Sequence, residues 1–185
     1  GIRFRGRAPE SGGRMMANTN WETPEWFFRR CEAAWGPFGL DVSATKENYK
    51  CRKWLGECHE GTKWGGGLTA DWEHLCLTAA PPNSAAWANP PYKNLISWVN
   101  KAIEESDKGL TVVMLLPWTR WAKWCEIIVK RAEMVRIPGR IAFLGSDKKP
   151  LASPPGQNVL AIIRPPIEGV TWPVGFTGAE ISGKE

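Results

Sequence analysis

The sequence predicts a doubly wound α/β domain: a mostly parallel twisted sheet with helices on both faces. Apolar runs of strand length alternate with apolar stripes at helical spacing, the pattern that right-handed βαβ crossovers produce. The run from Leu110 to Leu116 is continuous and partly β-branched, as a parallel strand covered on both faces requires. A chain of 185 residues, 43% apolar and 23% charged, is long enough to bury one substantial core.

Residues 1–18 read as a flexible basic arm. They are rich in Gly and Arg, and Arg3, Arg5, Arg7 and Arg14 face only Glu10, so most of the chain's net charge of +5 gathers here. Such an arm suits contact with a phosphate backbone. A single folded domain is expected over 19–175, with a tail over 176–185. Its first helix should start at Thr23 as N-cap with Pro24 at the first helical position. The stripe of Trp26, Phe27, Arg30, Cys31 and Ala34 carries it to about Trp35, where Gly36-Pro37 ends it. Phe38 to Val42 then reads as a short buried strand carrying an acid, Asp41, near its end. Residues 43–82 show no clean period and contain Gly65-Gly66-Gly67 and Pro81-Pro82, so loops with short elements are expected.

Ala85 to Ala88 is a strand stopped by Asn89-Pro90-Pro91-Tyr92, because two prolines can continue neither a helix nor a sheet interior. Leu95, Ile96, Val99, Ala102 and Ile103 form the core stripe of a helix ending near Gly109. The strand Leu110–Leu116 stops at Pro117. A helix over Trp121–Ala132, a strand over Met134–Ile137 and a last strand over Val159–Ile163 complete the pattern. Ligands of such sheets bind beyond the carboxyl ends of the strands, where both Asp41 and Asn89 fall.

Composition removes several classes of function. The longest apolar run is far too short to span a bilayer, and no signal-peptide pattern opens the sequence, so the cytoplasm is expected and no membrane partner. Five cysteines at irregular spacing do not make a disulfide framework. Cys51, Cys58, His59, His74 and Cys76 lack the CxxC or HxxxH pair that a tetrahedral zinc site uses, and no metal is expected. A pI near 9.0 suits a polyanionic partner. The chain also holds 12 tryptophans. Most should be core, while Trp118, Trp121 and Trp124 cluster after a strand, where one could face nucleic acid.

The tetrapeptide carries the chemistry. An aromatic amine is a poor nucleophile because its lone pair is delocalised into the ring. Two acceptors, the Asn89 side-chain oxygen and the Pro90 main-chain carbonyl, could each take one amine hydrogen and draw the nitrogen toward tetrahedral geometry. Pro90 and Pro91 stiffen the backbone that aims that carbonyl. Tyr92 supplies a face on which an extrahelical base stacks. A plain Pro-rich turn is the competing reading; placement at a strand end, directly before a helix, favours the catalytic one.

Taken together, Trp21-Glu22-Thr23-Pro24, Leu40-Asp41-Val42-Ser43-Ala44-Thr45 with Glu47-Asn48 and Lys50-Cys51, Trp87-Ala88-Asn89-Pro90-Pro91-Tyr92, Val112 to Pro117, Arg120-Trp121 and Gly139-Arg140 resemble, in order, the motifs of the small phage and prophage DNA N-6-adenine methyltransferases. The resemblance runs from about Trp21 to Arg164. It implies a Rossmann-like methyltransferase fold, S-adenosylmethionine as cofactor (S-adenosylhomocysteine as product), and transfer of a methyl group to the N6 amine of adenine in double-stranded DNA after base flipping. It places that reaction in the bacterial host cell of a phage or prophage.

On the same resemblance, Asn89, Pro90, Pro91 and Tyr92 are the catalytic residues, and Trp21, Thr23, Pro24, Asp41, Ser43, Ala44 and Asn89 bind the cofactor. Lys93, Trp118, Arg120, Trp121 and Arg140 are the candidates for nucleic acid. The usual Gly-rich methyltransferase motif is absent after Asp41, and Cys58-His59 and the glycines at 65–67 look like additions to the family pattern. No separate target-recognition domain fits in this length, so residues 46–70 and 118–124 are the candidates for reading DNA sequence. Methylation of RNA amines or of a protein glutamine amide would use the same two-acceptor chemistry, and an inactive nucleic-acid-binding module is the alternative from outside enzymology.

Overall fold

The computed structural model describes residues 21–56, 66–78, 80–152 and 156–184. The basic arm, together with Cys58, His59 and Gly65, lies outside the described residues. Helix α1 (Glu25–Trp35) is followed by β1 (Phe38–Asp41), α2 (Trp72–Leu77), β2 (Ala85–Ala88), α3 (Leu95–Asp107), β3 (Val112–Pro117), α4 (Lys123–Ile128), β4 (Glu133–Arg136), β5 (Asn158–Ile163) and β6 (Gly175–Glu180). The described strands form one six-stranded sheet of order β1-β2-β3-β5-β4-β6. β1, β2 and β3 pair in parallel, as do β4 and β6. β5 alone runs antiparallel to both of its neighbours, β3 and β4. The domain is therefore α/β with a mixed, mostly parallel sheet.

Alternation along the strands sends side chains into two cores. On one face Ala86, Ala88, Val112, Met114 and Leu116 meet Trp72 and Cys76 of α2, Trp98, Val99 and Ala102 of α3, and Trp124 and Ile128 of α4. On the other, Ala85, Trp87, Val113, Leu115 and Leu160 meet Phe27, Phe28 and Cys31 of α1, closed off by Ile141 and Phe143. Among the described residues helices thus cover both faces, three on one and one on the other. The side chains of Val112 to Leu116 are fully buried, about 1.5–3 kcal/mol each for the Val, Leu and Met side chains by transfer.

Several expectations change. Pro24, not Thr23, is the N-cap of α1: its carbonyl accepts from the Phe27 and Phe28 amides, and Thr23 makes no capping bond. The helix expected over Trp121–Ala132 contracts to Lys123–Ile128, and residues 129–132 are held by turn-type bonds instead. The strand at 159–163 is not the last, because β6 lies along β4 and carries the sheet through Glu180, into the segment read as a tail. Its Gly175 and Gly178 adopt positive φ, and its two strand formers, Phe176 and Thr177, are adjacent, so no apolar alternation announces it. Inside the region without period, α2 is six residues long, capped by the Asp71 side chain accepting from the His74 amide. Gly67 there must be glycine: a β-carbon would fall 2.3 Å from the Val42 carbonyl and 2.4 Å from the Trp98 ring. Its own carbonyl accepts from the buried Trp72 indole at 2.5 Å. The glycine-rich addition is a close-packing device at the end of β1.

Candidate functional site

β1 and β2 are neighbours in parallel, with Asp41 in register with Trp87, so their carboxyl ends emerge side by side. Between them opens a small pocket lined by Trp21, Glu22, Thr23, Asp41, Ser43, Asn48, Lys50, Trp87 and Asn89. A third wall comes from the strand-like pairing of Glu22 with Leu144, whose amides and carbonyls exchange two bonds of 3.0 Å.

Asn89 is held on three sides. Its amide donates to the Ser43 hydroxyl at 3.1 Å, and its side-chain Nδ2 donates to the Trp21 carbonyl at 3.3 Å and to Thr23 Oγ1 at 3.1 Å. A carbonyl can only accept, so the Trp21 contact settles which end of the amide faces it. Both Nδ2 hydrogens are spent inward. Oδ1 then points the other way, and no donor among the described residues reaches it or the Pro90 carbonyl. The loop presents two carbonyl acceptors from a side chain and a backbone that cannot easily rotate.

Asp41 is 3% exposed. Its carboxylate accepts from the Ser43 amide at 3.3 Å and the Lys50 amide at 3.0 Å, pinning both ends of the 43–50 loop. Burial pushes its pKa up to about 6, although those two amides and the Lys50 charge pull it down. Asp41 is thus a buried loop tether as well as a pocket wall. Lys50 Nζ, almost fully buried, bonds Glu22 Oε1 at 3.0 Å, and Lys148 bonds the other Glu22 oxygen. Burial acts to raise the Glu22 pKa, and the bonds from Lys148 and Lys50 outweigh it, holding the carboxyl below its usual range.

Tyr92 projects from the same loop, nearly perpendicular to the Trp21 ring with centroids 5.0 Å apart. Its hydroxyl accepts from Asn158 Nδ2 at 2.8 Å, and burial raises its pKa to about 12, so it is a neutral phenol at physiological pH. Asn94, at φ 61° in the left-handed region, turns the chain into α3, and its side chain accepts from the Ser97 hydroxyl.

Of the residues assigned from sequence, Trp21, Thr23, Asp41, Ser43 and Asn89 converge on the pocket, with Tyr92 beside them. Pro24 is buried as the α1 cap, and Ala44 is 4% exposed with its amide bonded to the Leu55 carbonyl; neither lines the pocket. Pro90 is buried and Pro91 half-buried. Lys93, Arg120 and Arg140 are exposed, and the Arg120 guanidinium lies 5.1 Å from the ring of Trp121, itself 82% exposed. Of the other two tryptophans in that cluster, Trp124 is core and Trp118 packs edge-on against Phe176. Arg140 borders Gly183, near the chain end that Arg30 of α1 holds through the Ser182 and Lys184 carbonyls. Glu22, Asn48, Lys50, Trp87 and Asn158 were not assigned. The first four stand inside the quoted motifs, so proximity in sequence could have flagged them; Asn158 carries no local signal. Among the described residues no group of side chains could hold a metal ion, and no helix is long and apolar enough to cross a membrane.

The family described as DNA N-6-adenine-methyltransferase (Dam) matches residues 12–173. The chain is 34% identical over 131 residues to the DNA N-6-adenine-methyltransferase of Haemophilus phage HP1 (strain HP1c1), covering 69% of this chain and 67% of that protein. It is 27% identical over 163 residues to the DNA N-6-adenine-methyltransferase of Escherichia phage T1, covering 75% of this chain and 62% of that one. The chain thus spans about two thirds of the length of these phage relatives. The matched residues take in the pocket, the Asn89 loop and five of the six strands, and the chain belongs to the DNA N-6-adenine-methyltransferase (Dam) family.

Proposed function

We propose that this chain methylates the exocyclic N6 amine of adenine in double-stranded DNA, using S-adenosylmethionine bound at the carboxyl edge of a Rossmann-like methyltransferase sheet. The observation that carries the reading is the fixed orientation of Asn89. With both Nδ2 hydrogens tied to Trp21 and Thr23, its Oδ1 is committed to accepting, beside the free Pro90 carbonyl.

The pocket suits the cofactor's chemistry. Lys50 and the acids Glu22 and Asp41 offer charges of both signs to a zwitterionic amino-acid end and to sugar hydroxyls, while Trp21 and Trp87 offer apolar surface. S-adenosylmethionine, when bound, supplies the methyl group. Everything else falls to the protein. Asn89 Oδ1 and the Pro90 carbonyl accept the two amine hydrogens and stabilise the positive charge that develops on nitrogen. Because they are already oriented, no reorganisation is needed when that charge appears. Tyr92 gives a base that has left the duplex a stacking surface. Arg120 and Trp121, exposed after β3, supply a cation and an aromatic plane for the strand itself, and Lys93 lies just past the catalytic loop for a phosphate.

The deciding experiment is tritiated methyl incorporation into duplex DNA followed by nucleoside analysis. N6-methyladenine is expected. Label in cytosine, in RNA offered in competition, or in protein would overturn the assignment.

A further inference from the structure

Asn158 stands at the start of β5, opposite Pro117 of β3. Because β5 runs against its neighbours, its first residue, not its last, reaches the carboxyl edge where the site lies. The side chain is 4% exposed and spends both Nδ2 hydrogens at that edge, one on the Tyr92 hydroxyl at 2.8 Å and one on the Leu116 carbonyl at 3.3 Å. The Leu116 carbonyl fixes the amide's orientation, since only the nitrogen can donate to it. Oδ1 is left buried without a donor among the described residues. A buried polar atom in that state costs stability, and a small apolar side chain would avoid the cost. What the asparagine supplies in return is a second fixed point for the Tyr92 ring, which already meets Trp21 in a T-shaped contact.

We propose that Asn158 is a positioning residue for the methyl transfer: its bond to the Tyr92 hydroxyl sets the plane of the ring on which the extruded adenine stacks. The inference rests on the base-stacking role proposed above for Tyr92. It assigns the hydroxyl a purpose that a bare aromatic face does not have. Phenylalanine at 92 keeps the face and loses the anchor.

Two measurements test it. Asn158→Ala and Tyr92→Phe should each lower kcat about tenfold, the worth of one neutral hydrogen bond, with little change in KM for S-adenosylmethionine. The double variant should be no slower than the slower single variant, since both remove one interaction. Independently of activity, the chain has 2 tyrosines, Tyr49 and Tyr92, so a 13C label at tyrosine Cζ gives two resonances that Tyr49→Phe assigns. Asn158→Ala should displace the Tyr92 resonance. If Asn158 serves only to satisfy Leu116, the resonance stays and the two rate losses multiply; either result overturns the proposal. Should the parental protein transfer no methyl to adenine, the functional reading fails, and the Tyr92 resonance still decides whether Asn158 holds the ring.

Discussion

The two sides of the Asn89–Tyr92 loop are built differently. Toward the pocket, Asn89, Thr23, Ser43, Asp41 and Lys50 are buried or half-buried and bonded to one another or to backbone. Toward the nucleic-acid candidates, Lys93, Arg120, Trp121 and Arg140 are exposed, and among them only the Arg120–Trp121 contact is a mutual one. On the proposed function, the difference follows from what each side would handle. Stabilising a charge that develops on one atom demands groups fixed to a fraction of an ångström before the reaction starts. Phosphates are reached by long solvated side chains whose attraction tolerates loose geometry. Rigidity has been placed where position matters.

Breaking the rigid side should cost most. Asn89→Ala is expected to lower kcat by two to three orders of magnitude, roughly 3–4 kcal/mol, while the affinity for S-adenosylhomocysteine measured by calorimetry falls far less. A parental rate in this variant would end the two-acceptor account. Asp41→Ala removes the tether of the 43–50 loop, and losing amide bonds to a carboxylate is worth about 2 kcal/mol. Both a lower melting temperature and weaker cofactor binding are expected. Weaker binding with unchanged melting would mean that Asp41 only faces ligand.

On the loose side, Trp121→Ala should weaken DNA binding by about 1–3 kcal/mol if the indole stacks on a base, seen by titration with labelled duplex. Arg120→Ala should reduce the slope of log affinity against log salt by about one. Neither should alter melting, and a stability loss in either would move that residue into the structural set.

The gentlest test is pH. Folding disfavours the charged form of Asp41, so its contribution to stability is greatest below its ordinary value of 3.8 and is lost as pH rises toward about 6. Glu22 acts in the opposite direction, because its lowered pKa adds stability above the usual carboxylate range and forfeits it on acidification. A carboxyl 13C titration should therefore find Asp41 with a midpoint near 6 and Glu22 below the ordinary glutamate value. An Asp41 midpoint at 3.8 would mean that the loop opens to water.

Where candidate residues sit in one continuous segment, their place in the fold was legible. Two prolines after a short apolar run mark a strand end, and the asparagine before them needs no tertiary information to be singled out. Helix α3 and strand β3 were legible because their apolar periods are long and unbroken. The N-cap reading of Thr23 fails because its hydroxyl serves Asn89, 66 residues away, rather than the first turn of α1. Asn158 lay beyond reach because its meaning comes from β5 running backwards, and nothing in Asn158 to Ile163 encodes direction. β6 escaped because its glycines remove the alternation by which strands are recognised, and the Gly66-Gly67 corner because close packing leaves no period.

The strand order has a consequence for synthesis. β4 is flanked by β5 and β6, and both follow it in the chain. On a ribosome that emits residues from the amino end, Met134 and Val135 emerge with neither ladder partner yet made. The pocket half of the sheet, β1 to β3, has all its strands by Pro117. The Asn89 loop can therefore meet Trp21 and Ser43 early, whereas Glu22 must wait for Leu144, Tyr92 for Asn158 and the flank for Glu180. A pause or cut between those points would release a chain with a partly built pocket and a bare strand edge, the exposed surface by which nascent proteins aggregate.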